Sequence, residues 1–260
     1  MIVYFWRTTV ALNIVVLNIV VYLIQIIGGF SFVYLVKDLS EPESQHANTT
    51  NDNTEKSNQL HHLVLKITSI HSRQQRDIAE KEAKLLSRLS HPSIIRMLDS
   101  CYRMTNSNLS NEKSKLSGIV GSSSVPNQGG NLGSRPQHLI LMEYCEGGTA
   151  LDVCTRLKSN QQQFDLPSLI IAFGQICNAV SYLHAQRPPI VHRDLKPVNF
   201  LVKNGAYKLC DFGSAVFGHV DLRTSRARAE AEEVIEKTTT QMFRSPEMVD
   251  LFMSKKLTQR

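Results

Sequence analysis

The apolar positions along this chain follow several different periods, and each period predicts a different element. Residues 62–67 alternate as in a half-buried strand, and residues 94–98 begin another strand. Residues 138–144 (HLILMEY) form a continuous apolar run of the length of a buried strand. Residues 76–89 and 167–186 instead repeat apolar positions every three to four residues, as helices do. The pattern therefore predicts a mixed α and β fold in which strands dominate the first half.

The helix predicted over residues 167–186 has the most regular apolar stripe. Its apolar positions at four-three spacing are Leu169, Phe173, Ile176, Val180 and Leu183. Such a stripe is stable only when something covers it. We expect it to be buried against the loop that follows and against further helices.

Two polar, low-complexity segments interrupt the strands. Residues 41–60 and 105–137 are rich in Ser, Asn, Thr and Gly and contain few large apolar residues. Such segments cannot bury enough apolar surface to repay the entropy of ordering them. We interpret both as disordered inserts. The serines of the second insert are candidate phosphorylation sites, although a solvated spacer is the simpler reading.

The N-terminal residues 8–27 are almost entirely apolar and leave three alternatives open. The segment is long enough for a transmembrane helix, which would give membrane association through residues 8–27. Its Val and Ile content also suits a buried strand, and Tyr22–Ile27 would then precede Gly28-Gly29. A third alternative is an error in the assigned start of the coding sequence. Arg7 before the segment and acidic residues after it count against an anchor for a cytosolic domain.

Composition narrows the class of protein. A length of 260 residues and 42% hydrophobic content suit one large domain or two lobes with a packed core. The net charge of +6 is spread along the chain, so we predict no nucleic-acid surface. The five cysteines form no C-x-x-C pair, which indicates a reducing, cytoplasmic setting.

Residues 191–213 (VHRDLKPVNFLVKNGAYKLCDFG) contain the strongest chemical signal. Asp194 is followed by Lys196 two residues later and by Asn199 five residues later, and Asp211 follows a short predicted hairpin. Asn204-Gly205 supplies the turn of that hairpin. H-R-D and D-F-G are weak signals when they occur alone. Joined in this order and at this spacing, they form the pattern H-R-D-x-x-x-x-N…D-F-G.

This stretch resembles the catalytic loop and metal-binding turn of eukaryotic protein kinases. The resemblance implies an α+β, two-lobed fold with a mainly antiparallel small lobe and a mainly helical large lobe. It implies that ATP and Mg²⁺ are used: Asp194 accepts the proton of the substrate hydroxyl, Lys196 faces the moving phosphoryl group, and Asn199 and Asp211 bind Mg²⁺. Lys196 in DLKPVN resembles the serine/threonine class.

Lys66 and Glu82 are the other candidate catalytic residues. Lys66 lies on the strand predicted over residues 62–67, where kinases carry the lysine that grips the phosphates. Glu82 lies on the apolar face of the helix 76–89, and a buried carboxylate needs a partner. Taken alone, both residues would be read as ordinary surface charges. Their order upstream of the catalytic loop favours an ion pair.

The remaining ATP-binding residues come from the resemblance. Gly28 and Gly29 resemble the glycine-rich loop, with Ile26 and Ser31 at its first and third glycine positions. A Gly-Gly turn alone is more often a plain hairpin. Met142 corresponds to the gatekeeper, although it would otherwise be read as core. The other implied ATP contacts are Val33, Val64, Glu143 and Cys145.

Residues 211–247 correspond to the activation segment, which ends at Ser245-Pro246-Glu247. Thr240 lies where serine/threonine kinases place a threonine against the catalytic loop. Thr238 and Thr239 are candidate phosphorylation sites, with Arg193 as the partner of a phosphate. Residues 223–237 are predicted to form an exposed, charge-rich helix, for which a solvated face without a role is an equally good reading.

The strings GGFSFVYLV, DFGSA and TTTQMFRSPEMVDLF resemble the Numb-associated kinases. That resemblance implies serine/threonine phosphorylation, with clathrin adaptor subunits as protein substrates and a role in endocytosis. It divides the chain into a leader (1–27) and a kinase domain (28–260) that we expect to be incomplete at its C-terminus. The domain comprises a small lobe (28–141), a hinge (142–146) and a partial large lobe (147–260). The alternative function is a non-catalytic fragment that binds a nucleotide or a partner.

Overall fold

A six-stranded antiparallel sheet forms the first half of the protein. The computed structural model describes residues 6–11, 16–27, 31–38, 62–105 and 135–258. The strands lie in the order β1-β2-β3-β4-β6-β5. Their bounds are β1 Trp6–Ala11, β2 Val16–Ile27, β3 Ser31–Asp38, β4 His62–Ser69, β5 Met97–Thr105 and β6 Arg135–Glu143.

The apolar N-terminal segment contributes two strands to this sheet. β1 pairs with β2 from Trp6↔Val21 to Ala11↔Val16, and β2 pairs with β3 as far as Ile27↔Ser31. The strand expected over Tyr22–Ile27 is therefore present. The alternative of one transmembrane helix over residues 8–27 does not describe this arrangement. Strand β1 was not predicted.

The described strands correct the limits of the second insert. Thr105 ends β5, and β6 begins at Arg135, so residues 105 and 135–137 belong to the sheet. Strand β5 begins at Met97, not at Ile94. The predicted insert 41–60 and residues 106–134 lie outside the described residues.

Helix α1, Arg73–Leu86, packs one face against the sheet. It begins three residues earlier than predicted because the Ser72 side chain accepts a hydrogen bond from the Gln75 amide and caps the first turn. It also ends three residues earlier, and the chain then turns toward β5. Its buried residues include Glu82, Leu85 and Leu86. The predicted apolar face is confirmed.

The second half is mainly helical. Its longer helices are α2 Ala150–Ser159, α3 Leu166–His184 and α4 Ser225–Thr238, followed by the short α5 Pro246–Val249. Short strands complete it: β7 Ile190–Val191, β8 Phe200–Lys203, β9 Ala206–Leu209, β10 Val216–Phe217, β11 Val220–Asp221 and β12 Lys256–Leu257. The α+β, two-lobed architecture is as predicted.

One apolar core joins the two halves of the molecule. It contains Leu85 and Leu86 of α1, Ile140 of β6, Leu183 of α3, and Leu209 and Phe212 near the hairpin. The backbone of Leu209 also exchanges hydrogen bonds of 2.9 Å with Ser93 and Ile95. Leu209 therefore links the β8–β9 hairpin to the segment that enters β5.

Helix α3 only partly meets the prediction that its stripe is buried. Leu183 is buried, and Ile176 and Val180 are partly buried. Leu169 and Phe173 are 47% and 65% exposed, so the prediction is wrong for the first half of the helix. Within the described ranges, α3 alone is long and apolar enough to cross a membrane. These properties are weak evidence for a membrane span, because core helices of soluble proteins share them.

Because Leu209 is fully buried and α3 is half exposed, two identical substitutions should differ in cost. Leu209→Ala should lower the free energy of unfolding by about 2–5 kcal/mol through lost burial and a residual cavity. Leu169→Ala should change it by about 0.5 kcal/mol or less. Urea unfolding followed by circular dichroism measures both. Equal losses for the two variants would contradict the packing described here.

Candidate active site

The catalytic-loop residues sit on a rigid local scaffold. A short 3₁₀ turn, Pro197–Asn199, leads into β8, and β8 pairs with β9 from Phe200↔Leu209 to Lys203↔Ala206. Asn204 and Gly205 have φ angles of 49° and 75°, as a two-residue hairpin turn requires. The predicted hairpin is confirmed. It fixes the separation between Asn199 and Asp211.

Asp194 is 5% exposed, and its carboxylate is held from three directions. Oδ2 lies 2.7 Å from Lys196 Nζ and accepts a hydrogen bond from Asn199 Nδ2 at 3.1 Å. Oδ1 accepts a hydrogen bond from the Thr240 amide at 2.9 Å. Burial alone would raise the pKa of this carboxyl, but the bonds from Lys196 and Thr240 hold it below its ordinary value. Asp194 is therefore ionised at neutral pH.

Thr240 ties the activation segment to the catalytic loop. Besides the amide bond to Asp194, its Oγ1 accepts a hydrogen bond from Lys196 Nζ at 2.6 Å. The prediction that Thr240 lies against the catalytic loop is confirmed. Lys196 is shared between Asp194 and Thr240, so it is fixed over the carboxylate.

A buried ion pair joins the sheet to helix α1. Lys66 Nζ on β4 lies 2.7 Å and 2.9 Å from the two carboxylate oxygens of Glu82. It also lies 3.5 Å from Asp211 Oδ1. Burial alone would lower the pKa of Lys66, but Glu82 and Asp211 outweigh it and raise the pKa above its ordinary value. The predicted Lys66–Glu82 pair is present.

Asp211 and Asn199 offer the oxygen ligands that Mg²⁺ prefers. The charge of Lys66 holds the pKa of the Asp211 carboxyl below its ordinary value, although burial opposes it. Asn199 Nδ2 donates to Asp194, which leaves the amide oxygen of Asn199 as its ligand atom. The described part of the chain has no group of three or more His, Cys, Asp or Glu that could hold a metal ion by themselves. Two oxygen ligands suit Mg²⁺, which usually completes its shell with phosphates and water.

The turn at Asp211 and the loop at Arg193 are both held in strained backbone conformations. Asp211 has a φ of 58° and Arg193 a φ of 68°, both in the left-handed region that side chains disfavour. Phe212 is fully buried, and its ring packs edge-on against His192 with centroids 5.0 Å apart. His192 Nε2 also lies 3.1 Å from the Cys210 carbonyl oxygen. These contacts stabilise the strained turn.

The described residues expected at the nucleotide lie on neighbouring strands. Val33 pairs with Lys66 across β3 and β4, and Val64 pairs with Met142 across β4 and β6. Ser31 Oγ lies 3.0 Å from Thr68 Oγ1, so its hydroxyl already has a protein partner. Gly28 and Gly29 lie outside the described residues.

The hinge residues contribute in different ways. Cys145 is buried, and burial raises the pKa of its thiol to about 12, so it is not a nucleophile. The Glu143 amide donates to the Arg96 carbonyl at 3.0 Å. The Glu143 amide is therefore not free to bond to a nucleotide. Its side chain instead forms ion pairs with Lys203 and Lys208, which sequence reasoning missed.

The activation segment is anchored through the backbone and hydroxyl groups. Arg193 Nε donates to the Ser214 carbonyl at 2.7 Å, and the Ser214 hydroxyl donates to the Thr238 carbonyl. The hydroxyls of Thr238 and Thr239 donate to the Val234 and Ile235 carbonyls one turn back in α4. Phosphorylation of either threonine stays a prediction, and it would break one of these bonds.

Helix α4 is the charge-rich helix expected over residues 223–237. It is not solvated on all sides, because Ala231 and Ile235 pack against Leu222, Leu251 and Leu257. At the C-terminal end of α4, the Arg244 guanidinium donates hydrogen bonds to the carbonyls of Ile235 and Thr239. The sequence did not identify Ser214 or Arg244 as residues that anchor the activation segment. The only signal for them is their position, just after D-F-G and just before S-P-E.

The resemblance to kinases also implies that Glu247 is a buried carboxylate paired with an arginine of a later helix, and such a charge left unpaired would be costly. It is instead partly exposed at the first turn of α5. Among the described residues it has no ion-pair partner within 4.0 Å. The penalty expected for an unpaired buried charge therefore does not apply.

The Lys66–Glu82 pair allows a test by unfolding. Lys66→Met leaves Glu82 buried without its cation and should cost about 3–5 kcal/mol of unfolding free energy. The double variant Lys66→Met/Glu82→Leu removes both charges, so it should recover most of that loss. Urea unfolding of wild type, both single variants and the double variant measures the coupling. A double variant no more stable than Lys66→Met would contradict the pairing.

Comparisons with known proteins agree with this geometry. Two relatives are probable serine/threonine-protein kinases of Dictyostelium discoideum. Both are 30% identical to this chain, one over 87% of it and the other over 86%. Actin-regulating kinase 1 of Saccharomyces cerevisiae is 40% identical over 44% of it. The chain spans only 16%, 23% and 18% of the lengths of these relatives. Residues 28–259 match the protein kinase domain, and the chain therefore belongs to the protein kinase domain family.

Proposed function

We propose that this protein transfers the γ-phosphate of ATP to serine or threonine hydroxyls of a protein substrate. The observation that carries this proposal is the environment of Asp194. Its ionised carboxylate is buried beside Lys196 and Asn199 and is aligned by the Thr240 amide. Any buried carboxylate needs a partner, so what distinguishes Asp194 is that its partners Lys196 and Thr240 lie where kinases place them beside the base.

The chain's own residues supply positioning and electrostatics for this reaction. The Asp194 carboxylate orients the acceptor hydroxyl and takes its proton as the hydroxyl oxygen bonds to the γ-phosphorus, while the bond from the γ-phosphorus to the β-phosphate oxygen breaks and ADP leaves. The ammonium of Lys196 stabilises the negative charge on the transferred group. Lys66, held by Glu82, orients the α- and β-phosphates. Mg²⁺ bound by Asp211 and Asn199 would neutralise charge on the phosphate oxygens.

The serine/threonine class is supported by Lys196 and by the relatives. Lys196 occupies the space beside Asp194 and is bonded to Thr240. The two Dictyostelium relatives are named as serine/threonine-protein kinases. We therefore expect little transfer to tyrosine.

The finer assignment is to the Numb-associated kinases, with a clathrin adaptor subunit as substrate and a role in endocytosis. It is supported by the strings GGFSFVYLV, DFGSA and TTTQMFRSPEMVDLF. The likeness to a kinase named for actin regulation agrees with it, since endocytosis and actin are linked in that family. We place the protein in the cytoplasm, where ATP is available and its five cysteines stay reduced.

Asp194→Asn tests the proposed function. It removes the proton acceptor but keeps the side-chain shape, so kcat should fall about 10²- to 10⁴-fold while ATP still binds. The matched control is Asp77→Asn, on the exposed face of α1, which should leave kcat unchanged. The measurement is the incorporation of labelled phosphate from ATP. The acceptors are peptides that contain serine, threonine or tyrosine, and a clathrin adaptor subunit.

An Asp194→Asn variant as active as the control would show that Asp194 is not the base. ATP binding without transfer by the wild-type chain would favour a nucleotide-binding module. Equal transfer to tyrosine peptides would contradict the serine/threonine assignment.

A further inference from the structure

A cavity of about 450 Å³ lies beside the hinge, and Asp194 is not among the residues that line it. Four parts of the chain line it: the start of β4, residues 89–98, the hinge at Glu143 and Tyr144, and the hairpin residues Lys203 and Lys208. Of the residues assigned above to the nucleotide, only Glu143 is among them. The proposed catalytic reaction does not use this cavity.

The cavity has a single acidic side chain, and that side chain is already occupied. Glu143 Oε2 lies 2.7 Å from Lys203 Nζ, and Oε1 lies 3.0 Å from Lys208 Nζ. Oε1 also accepts a hydrogen bond from the Arg96 amide at 2.8 Å. Burial alone would raise the pKa of Glu143, but the bonds from both lysines hold it below its ordinary value. One carboxylate thus faces two ammonium groups.

The lining therefore carries a surplus of positive charge. Arg96, Lys203 and Lys208 contribute three cations against one anion, and the Arg96 guanidinium has no acidic partner among the described residues. The field reaches the neighbouring His91, whose pKa is lowered by burial and then by the charge of Lys208. The lysine side chains are only 31% and 15% exposed, so water screens them incompletely.

Apolar residues also line the same cavity. Leu89, Ile94 and Ile95 are buried there, and Leu63 and Leu98 are partly buried. A ligand that fits should therefore carry an anionic head for the basic groups and an apolar body for this wall. A surplus of two positive charges matches a phosphate monoester, which carries about −1.5 to −2 at pH 7.

We infer that this cavity binds the phosphate monoester of a phosphorylated side chain, with Arg96, Lys203 and Lys208 as its ligands. Lysine ammonium and arginine guanidinium groups have several N–H donors each, so bonds to Glu143 leave donors for phosphate oxygens. The choice of a phosphorylated side chain as the source rests on the proposed function, because protein kinases make phosphate monoesters of side chains. Phenyl phosphate serves below as a simple monoester with an apolar body, whichever side chain carries the phosphate.

Calorimetric titration of the full 260-residue chain with phenyl phosphate tests this site. ADP and Mg²⁺ are kept saturating so that the probe does not compete for the nucleotide site, and the titration is repeated without nucleotide. Benzenesulfonate, a monoanion with the same ring, should bind about tenfold more weakly. Inorganic phosphate, which lacks the apolar body, should also bind more weakly than phenyl phosphate.

Arg96→Gln removes one surplus cation but keeps the backbone bonds between residues 96 and 143. It should weaken phenyl phosphate binding about fivefold to tenfold. The matched control, Arg73→Gln, removes an exposed arginine at the start of α1 and should have no effect. Both variants are surface changes, so both should fold.

Any of three results would overturn the site. These are no binding of phenyl phosphate, equal affinities of wild type and Arg96→Gln for phenyl phosphate, and binding of benzenesulfonate as tight as that of phenyl phosphate. Inorganic phosphate binding as tightly as phenyl phosphate would overturn the assignment to a side chain and indicate a free phosphate site. None of these readouts requires phosphotransfer. A failure here is therefore distinct from a failure of Asp194→Asn.

Discussion

The buried ammonium of Lys66 is the interaction on which the site depends. It lies on the central strand β4, forms a short ion pair with Glu82 of α1, and reaches Asp211 at 3.5 Å. One charge therefore connects the sheet, the helix and the metal-binding turn. Because an unpaired charge in this position is costly, the three elements are stable together only in the arrangement that catalysis requires.

A second network holds the catalytic aspartate and the activation segment. Thr240 bonds to both Asp194 and Lys196, while Arg193 bonds to the Ser214 carbonyl and Ser214 bonds to the end of α4. Each link uses a neutral hydroxyl or a backbone group. The activation segment is thus held by hydrogen bonds at two places. Thr240 bonds to the catalytic loop, and the end of α4 bonds to Ser214.

The sequence predicted the parts of the site whose spacing is local. The hairpin fixes Asn199 and Asp211, and the helical period places Glu82 on the buried face of α1. Contacts between distant segments leave no such pattern: Lys66 with Glu82 and Thr240 with Asp194 were expected only from the resemblance to kinases, and Glu143 with Lys208 was missed. The period of α3 identified which residues share a face, but not what packs on it. The leader was ambiguous because a Val- and Ile-rich run suits a strand and a membrane helix equally.

The central claim is that Asp211, held by Lys66, binds Mg²⁺ and thereby the nucleotide. Calorimetric ATP titrations of wild type and Asp211→Asn, each with and without Mg²⁺, test it most directly. Mg²⁺ should tighten ATP binding to wild type, and Asp211→Asn should lose most of this gain. An Asp211→Asn variant that keeps the full Mg²⁺ effect would contradict it.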